Sequence, residues 1–185
     1  METQTQQQQI LFSTARLVIR EFVWEDWQTV HAYARMPEVS QYQYWGPNKE
    51  KDTQTFIKDA LAYRQYRPRL QYELCVCLYN GVHIGGCSLF VESARQQEAT
   101  IGYLLHPAYW NQGFATEIVT HLLQYGQETL QLKKIKATCD TRNIASQRVL
   151  EKTGFVQTAY TEKGFMKNRI WQSTYQYVYS LKKEN

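Results

Sequence analysis

The stretch from Thr100 to Phe155 constrains this chain more than any other. It reads as an apolar strand, a glycine-containing turn that opens a helix, a second strand, and a short helix that begins at asparagine. Ala99 to Leu105 is β-branched and aromatic, and it stops at His106-Pro107, too short for a typical helix. In Tyr109-Trp-Asn-Gln-Gly-Phe-Ala-Thr-Glu117, Gly113 lets the backbone approach a ligand and turn directly into a helix with Ala115, Ile118, Val119, Leu122 and Leu123 at apolar positions. Free N–H groups converge at such a helix start, and with the positive end of the helix dipole they favour a phosphate or diphosphate. A single glycine before an amphipathic helix is also an ordinary turn, so this segment alone leaves both readings open. Lys134 to Cys139 then alternates as a strand, and Asn143 to Phe155 is a short helix with a capping asparagine and a glycine stop.

Two of these segments carry a family resemblance. Gln112-Gly113-Phe114-Ala115-Thr116-Glu117, followed by Asn143-x-x-Ser146-x-x-Val149-Leu150-Glu151-Lys152-x-Gly154-Phe155, resembles the acetyl-CoA-binding core of the GNAT superfamily of N-acetyltransferases. The spelling is closest to the RimJ/RimL-like branch, which acetylates ribosomal protein N-termini. Thr14 to Arg20 resembles that branch's opening strand and Gln176 to Leu181 its closing one, so the likeness extends over nearly the whole chain. Three positions depart from the pattern. Thr100 stands where a glutamate often precedes Ile-Gly-Tyr, Asn111 replaces a frequent glycine, and Tyr175 a frequent aspartate.

The rest of the chain reads as one domain of 185 residues, with residues 1–12 a loose, Gln-rich N-terminal extension. Leu17 to Glu21 alternates as a strand, Asp26 to Ala34 and Lys49 to Tyr66 read as helices, and Gln71 to Tyr79, Val82 to Glu92 and Gln97 to Leu105 as strands. The first two of those strands are joined through Asn80-Gly81, the strongest hairpin signal present. The order gives an α/β fold, and the resemblance makes it a GNAT-like mixed, mostly antiparallel sheet flanked by helices, with splayed central strands. The resemblance further implies that pantetheine adds to the strand edge exposed where the strands ending at Leu105 and Cys139 part. Backbone groups left unpaired there need partners.

Other function classes find little purchase. No apolar stretch approaches the roughly 18 to 20 residues of a membrane helix, and the start lacks the basic and apolar regions of a signal peptide. The net charge of +4 comes without a basic block or a stripe interleaved with aromatics, so no nucleic-acid partner is expected. The four histidines are scattered, and Cys75, Cys77, Cys87 and Cys139 make no zinc or redox spacing, so no metal is expected and the thiols fit a cytoplasmic setting. A monomer and a homodimer are both compatible.

The resemblance implies acetyl-CoA as co-substrate and direct acetyl transfer to an amine in a ternary complex. A backbone N–H at Leu104 or Leu105 would polarise the thioester carbonyl. Asn111, Gln112, Gly113, Phe114, Ala115 and Thr116 would cradle the diphosphate, and Asn143 would hold the pantetheine arm or act as a plain helix cap. Lys152 and Arg148 would reach the cofactor or belong to a solvated helix face. Many GNAT enzymes place a tyrosine acid where this chain has Leu150, which has no proton to give. In the RimJ/RimL-like branch a serine three residues after the asparagine is the proposed donor to the leaving sulfur, and Ser146 matches it, with a structural serine as the alternative. The base is open among Glu98, pictured as solvated or paired with Arg95, His106, Glu162 and a water chain. Tyr42, Tyr44 and Trp45 would wall an acceptor groove or pack as core aromatics. The acceptor is a protein N-terminus or a small-molecule amine, and a non-catalytic acyl-CoA-binding regulator is the third reading.

Overall fold

The computed structural model describes residues 9–93, 95 and 97–180. Strands β1 (Ile10–Ser13) and β2 (Leu17–Glu21) lead through a 3-10 turn at Trp24–Asp26 into helices α1 (Trp27–Ala34), α2 (Pro37–Ser40) and α3 (Glu50–Tyr63). Strands β3 (Gln71–Leu78), β4 (His83–Ser93) and β5 (Glu98–Leu105) follow, then helix α4 (Phe114–Glu128), β6 (Lys134–Asp140), helix α5 (Ile144–Lys152), and a hairpin of β7 (Val156–Lys167) and β8 (Ile170–Ser180). The eight strands form one sheet in the order β1-β2-β3-β4-β5-β6-β8-β7.

All neighbours pair antiparallel except β5 and β6, because α4 carries the chain back across the sheet between them. That parallel pairing holds only at Glu98↔Lys134, Ala99↔Ile135 and Thr100↔Lys136. Beyond it β5 stays with β4 as far as Leu105, and β6 stays with β8 as far as Asp140. The sheet therefore opens as a V along the C-terminal halves of its two central strands. Each of α4 and α5 starts just after one of these open ends, so both helix N-termini face the mouth of the V.

Alternation along the strands divides the core into two layers. Leu74, Val76, Leu89, Ile101, Ile135 and Tyr177 meet Ile118 and Leu122 of α4 and Leu150 of α5. On the other face Cys75 and Cys77 meet Phe22, Val30, Tyr33 and Ile57 beneath α1 and α3. Each fully buried aliphatic side chain contributes about 1.5 to 3 kcal/mol relative to exposure, which is ample to fix which face of each strand turns inward. All four cysteines are free and buried.

The structure moves several boundaries. Ile10–Ser13 pairs with β2 as an edge strand, so the loose extension expected over residues 1–12 gives way to sheet at Ile10; residues 1–8 lie outside the described residues. The closing strand is longer than Gln176 to Leu181 suggested, begins at Ile170, and Leu181 is not among the described residues. Its partner β7 is almost wholly exposed and so shows no apolar alternation to read. The hairpin turns through Asn168 and Arg169, both at positive φ (50° and 65°), a geometry usually marked by Asn-Gly.

Ligand-type atoms of Asp26, Cys75 and His83 lie within 4.8 Å of one another although they are scattered in sequence. The Asp26 carboxylate accepts both terminal nitrogens of Arg20 at 2.7 and 2.8 Å and the Val23 N–H at 2.8 Å. Burial lowers the His83 pKa to about 4, so its ring is neutral. We read this group as a buried ion pair that ties β2 to the start of α1.

Candidate active site

The open edge of β5 follows from strand parity. The His106 N–H donates to Ile84 O across β4 at 2.8 Å, and N–H groups alternate in direction along a strand. The Leu104 N–H therefore faces β4, whereas those of Tyr103 and Leu105 face the side where β6 has departed. Leu105 also turns its carbonyl that way, where it accepts the Trp110 indole N–H at 2.8 Å. Of the two expected carbonyl donors, only Leu105 is aimed into the V. Leu104 is bound up with β4 and packs its side chain on the α1 and α3 layer.

The segment expected to cradle an anion runs into the start of α4. Asn111 (φ 58°) and Gly113 (φ 81°) adopt left-handed backbone, which swings the chain from the Pro107–Tyr109 turn into the helix. Gly113 is the cap residue and has no side chain to accept the first amides, so those of Phe114, Ala115 and Thr116 lack a side-chain cap. Arg16, far away in sequence, closes the cradle. Its Nε donates to Glu117 at 2.7 Å, its Nη1 to Gln112 O at 3.0 Å, and its guanidinium stands 4.2 Å over the Phe114 ring. Burial opposes ionisation of Glu117, but donors from Thr14 and Arg16 outweigh it and hold the carboxyl below its usual pKa. A carboxylate in the first turn of α4 is thus neutralised by a residue that no local motif could reveal.

Asn143 caps α5 by accepting the Ser146 N–H at 3.1 Å through Oδ1. The Ser146 hydroxyl lies 2.8 Å from the Tyr103 hydroxyl, which reaches across the V from β5. Burial pushes the Tyr103 pKa far above the usual phenol value, although the contact with Ser146 works against it. Tyr103 therefore stays a neutral hydroxyl beside Ser146. Leu150 is buried in the core, as its position on the inner face of α5 requires. Lys152 is exposed in the last turn of α5, about 13 Å along the axis from Asn143.

Two of the three named base candidates, His106 and Glu98, have polar partners. The His106 Nδ1 accepts the Ala108 N–H at 3.1 Å, which puts the proton of the neutral ring on Nε2 and makes that atom a donor. Glu98 pairs with Lys134 at 3.0 Å and Lys136 at 2.8 Å rather than with Arg95. Glu162 lies within β7, exposed, rather than in a loop. Thr100 donates to Glu92, which also holds Lys136 at 2.8 Å. A carboxyl without a motif, Glu73 on β3, is raised by burial to a pKa of about 7 and stands opposite Ser88, which in turn stands opposite Gly102 of β5.

The three aromatics of the acceptor segment go separate ways. Trp45 packs against the α1 and α3 layer, Tyr44 is exposed, and Tyr42 lies under the Arg142 guanidinium at 5.7 Å. Arg142 is bidentate on Asp140 at 2.8 and 2.6 Å, so Tyr42 stands at the open end of β6. The Lys167 ammonium holds this segment by donating to the carbonyls of Ser40, Gln43, Trp45 and Gly46 at 2.7 to 3.2 Å.

A family model described as an acetyltransferase (GNAT) domain matches residues 16–156. The chain is 30% identical over 168 residues to the uncharacterised N-acetyltransferase YnaD of Bacillus subtilis, covering 90% of this chain and 94% of that protein. Among solved structures, RimL, a ribosomal L7/L12 alpha-N-protein acetyltransferase in complex with coenzyme A, matches with a TM-score of 0.82 at 16% identity, covering 94% of this chain and 98% of that one. Spermidine N-acetyltransferase from Vibrio cholerae in complex with CoA and spermine matches with a TM-score of 0.77 at 19% identity, covering 89% and 95%. The last two likenesses are of fold.

Proposed function

The chain belongs to the GNAT acetyltransferase family, and from that premise we propose that it is an acetyl-CoA-dependent transferase acting on the free N-terminus of a protein or peptide, in the manner of the RimJ/RimL-like branch. The observation that carries the co-substrate assignment is the parting of β5 and β6 after Thr100 beside the uncapped amides of α4. The amides of Phe114, Ala115 and Thr116 would take the diphosphate, with Asn111, Gln112 and Gly113 shaping the loop. The exposed N–H groups of Tyr103 and Leu105 match an extended pantetheine arm, to which Asn143 is close enough in the fold to contribute its amide.

The co-substrate supplies an activated acetyl thioester, and the residues supply position and polarity. The Leu105 N–H donates to the carbonyl oxygen as the amine nitrogen bonds to its carbon, and the C–S bond breaks toward Ser146. Ser146 stabilises the departing thiolate by hydrogen bonding, since an unperturbed hydroxyl is a poor acid, and Tyr103 holds that hydroxyl in place. The amine proton leaves through water, and fixing the two reactants can lower the barrier by about 7 to 11 kcal/mol.

A monoamine suits the mouth better than a polycation. Asp140, at the open end of β6, is neutralised by Arg142 at 2.6 Å, so that carboxylate is already committed. The test offers acetyl-CoA with tetrapeptides bearing free or blocked N-termini and with spermine, and follows thiol release. Release with the free N-termini alone is expected. Release with spermine alone would assign a small-amine enzyme, and binding of acetyl-CoA without release on any amine would assign a regulator.

A further inference from the structure

Lys167 is the last residue of β7, set by the two positive-φ residues of the hairpin turn against a segment more than 120 positions earlier in the chain. Four carbonyls converge on its ammonium: Ser40 O at 2.7 Å, Gln43 O at 3.0 Å, Trp45 O at 2.7 Å and Gly46 O at 3.2 Å. The convergence has a local cause. The one-turn helix α2 ends at Ser40, whose carbonyl also accepts the Gln43 N–H at 2.9 Å, and the next residues coil through Gly46 at φ 72°. An ammonium offers three donors of adjustable direction, so it serves the four carbonyls with one donor shared, a convergence that a planar guanidinium does not match. Burial alone lowers the Lys167 pKa, and charge-assisted bonds to the carbonyls oppose that by favouring the protonated form.

We propose that Lys167 is the positioning residue of the acceptor site: its ammonium fixes the segment from Ser40 to Gly46 so that Tyr42 stands at the open end of β6, and acceptor selection thereby depends on the β7–β8 hairpin. This rests on reading that segment as the acceptor wall. Lys167 itself touches no reacting atom in this account. Removing the charge frees the segment without altering the diphosphate cradle, which lies on α4.

The experiment compares the full-length wild type with Lys167→Met, Lys167→Arg and Lys163→Met, the last on an exposed lysine of the same strand. Hydrogen exchange of the amides of residues 41–46 is read by mass spectrometry, and KM for a free-N-terminus tetrapeptide and for acetyl-CoA by thiol release. Lys167→Met should speed exchange in that segment about tenfold or more and raise the peptide KM at least fivefold, with the acetyl-CoA KM within twofold. Lys167→Arg should restore neither fully, and Lys163→Met should match wild type. Unchanged exchange in Lys167→Met overturns the proposal, as does faster exchange with an unchanged peptide KM. If the wild type turns over no amine, the acceptor reading fails on its own, and the exchange result still decides whether Lys167 holds the segment.

Discussion

The hydroxyls of Tyr103 and Ser146 meet at 2.8 Å although one belongs to β5 and the other to α5, on opposite arms of the open V. In the proposed reaction, with Tyr103 donating, this contact leaves the Ser146 hydroxyl free to donate to the leaving sulfur. Tyr103→Phe should lower kcat about tenfold, the loss of roughly one hydrogen bond, with acetyl-CoA affinity within about twofold. Ser146→Ala should lower kcat at least as much. The double variant should be no slower than Ser146→Ala alone, because the two hydroxyls act as a unit. Steady-state kinetics on all three variants checks this.

Arg16 neutralises Glu117 at the mouth of the cradle through a 2.7 Å contact. Arg16→Gln should expose that carboxylate to the incoming diphosphate and weaken coenzyme A binding by about fivefold or more, given the range of charge effects at helix N-termini. Pantetheine, which lacks the diphosphate, should bind as before. Arg16→Gln combined with Glu117→Gln should recover much of the loss, read by calorimetric titration.

Gly85 lies where β4 passes closest to the end of β5. A Cβ there would stand 2.2 Å from Leu104 O and 2.9 Å from Leu105 Cα, both backbone atoms. Gly85→Ala must therefore shift the strand that presents the Leu105 N–H. Turnover should fall by about 100-fold while the far-ultraviolet circular dichroism is retained, since displacements near 1 Å carry such costs. The variant probes a main-chain donor that no side-chain substitution removes.

Burial raises the folded-state pKa of Glu73 to about 7, above the value near 4.5 of an unfolded chain. The folded state then binds more protons between these two values, so the Glu73 contribution to stability falls as pH rises from about 4.5 to about 7 and is flat above. His83, lowered to about 4, acts oppositely: its contribution grows as pH rises from about 4 to its unfolded value near 6.5. Glu73→Gln removes only the first effect. It should stabilise the protein by about 2 to 3 kcal/mol at pH 8 and by little at pH 4.5, read by urea unfolding at both values.

The parts of the site that were legible in sequence are those built by local chemistry. Gly113 before an amphipathic helix, Asn143 at a helix start and Ser146 three residues later each declare a backbone need or a hydrogen bond within one turn. Strands β4 and β5 were legible from partial alternation, and β3 as a short apolar run buried on both faces and ended by Asn80-Gly81. Strand β7 was not, since an exposed strand selects no such alternation, and of β8 only the end from Gln176 was marked, by resemblance. Arg16, Tyr103 and Lys167 acquire their roles only from partners 96, 43 and more than 120 residues distant, which no spacing rule within one segment can supply. That the Leu105 N–H rather than the Leu104 N–H faces the V needed the register with β4.

The central claim is that the first amides of α4 grip a diphosphate while the parted edge of β5 receives the acyl arm. Titration of the ¹⁵N-labelled protein with acetyl-CoA reads both at once. Saturable shifts are expected at Phe114, Ala115 and Thr116 together with Tyr103 and Leu105, while Leu104, bonded toward β4, moves little. Absence of shifts at the α4 amides, or shifts there with Tyr103 and Leu105 unmoved, would contradict it.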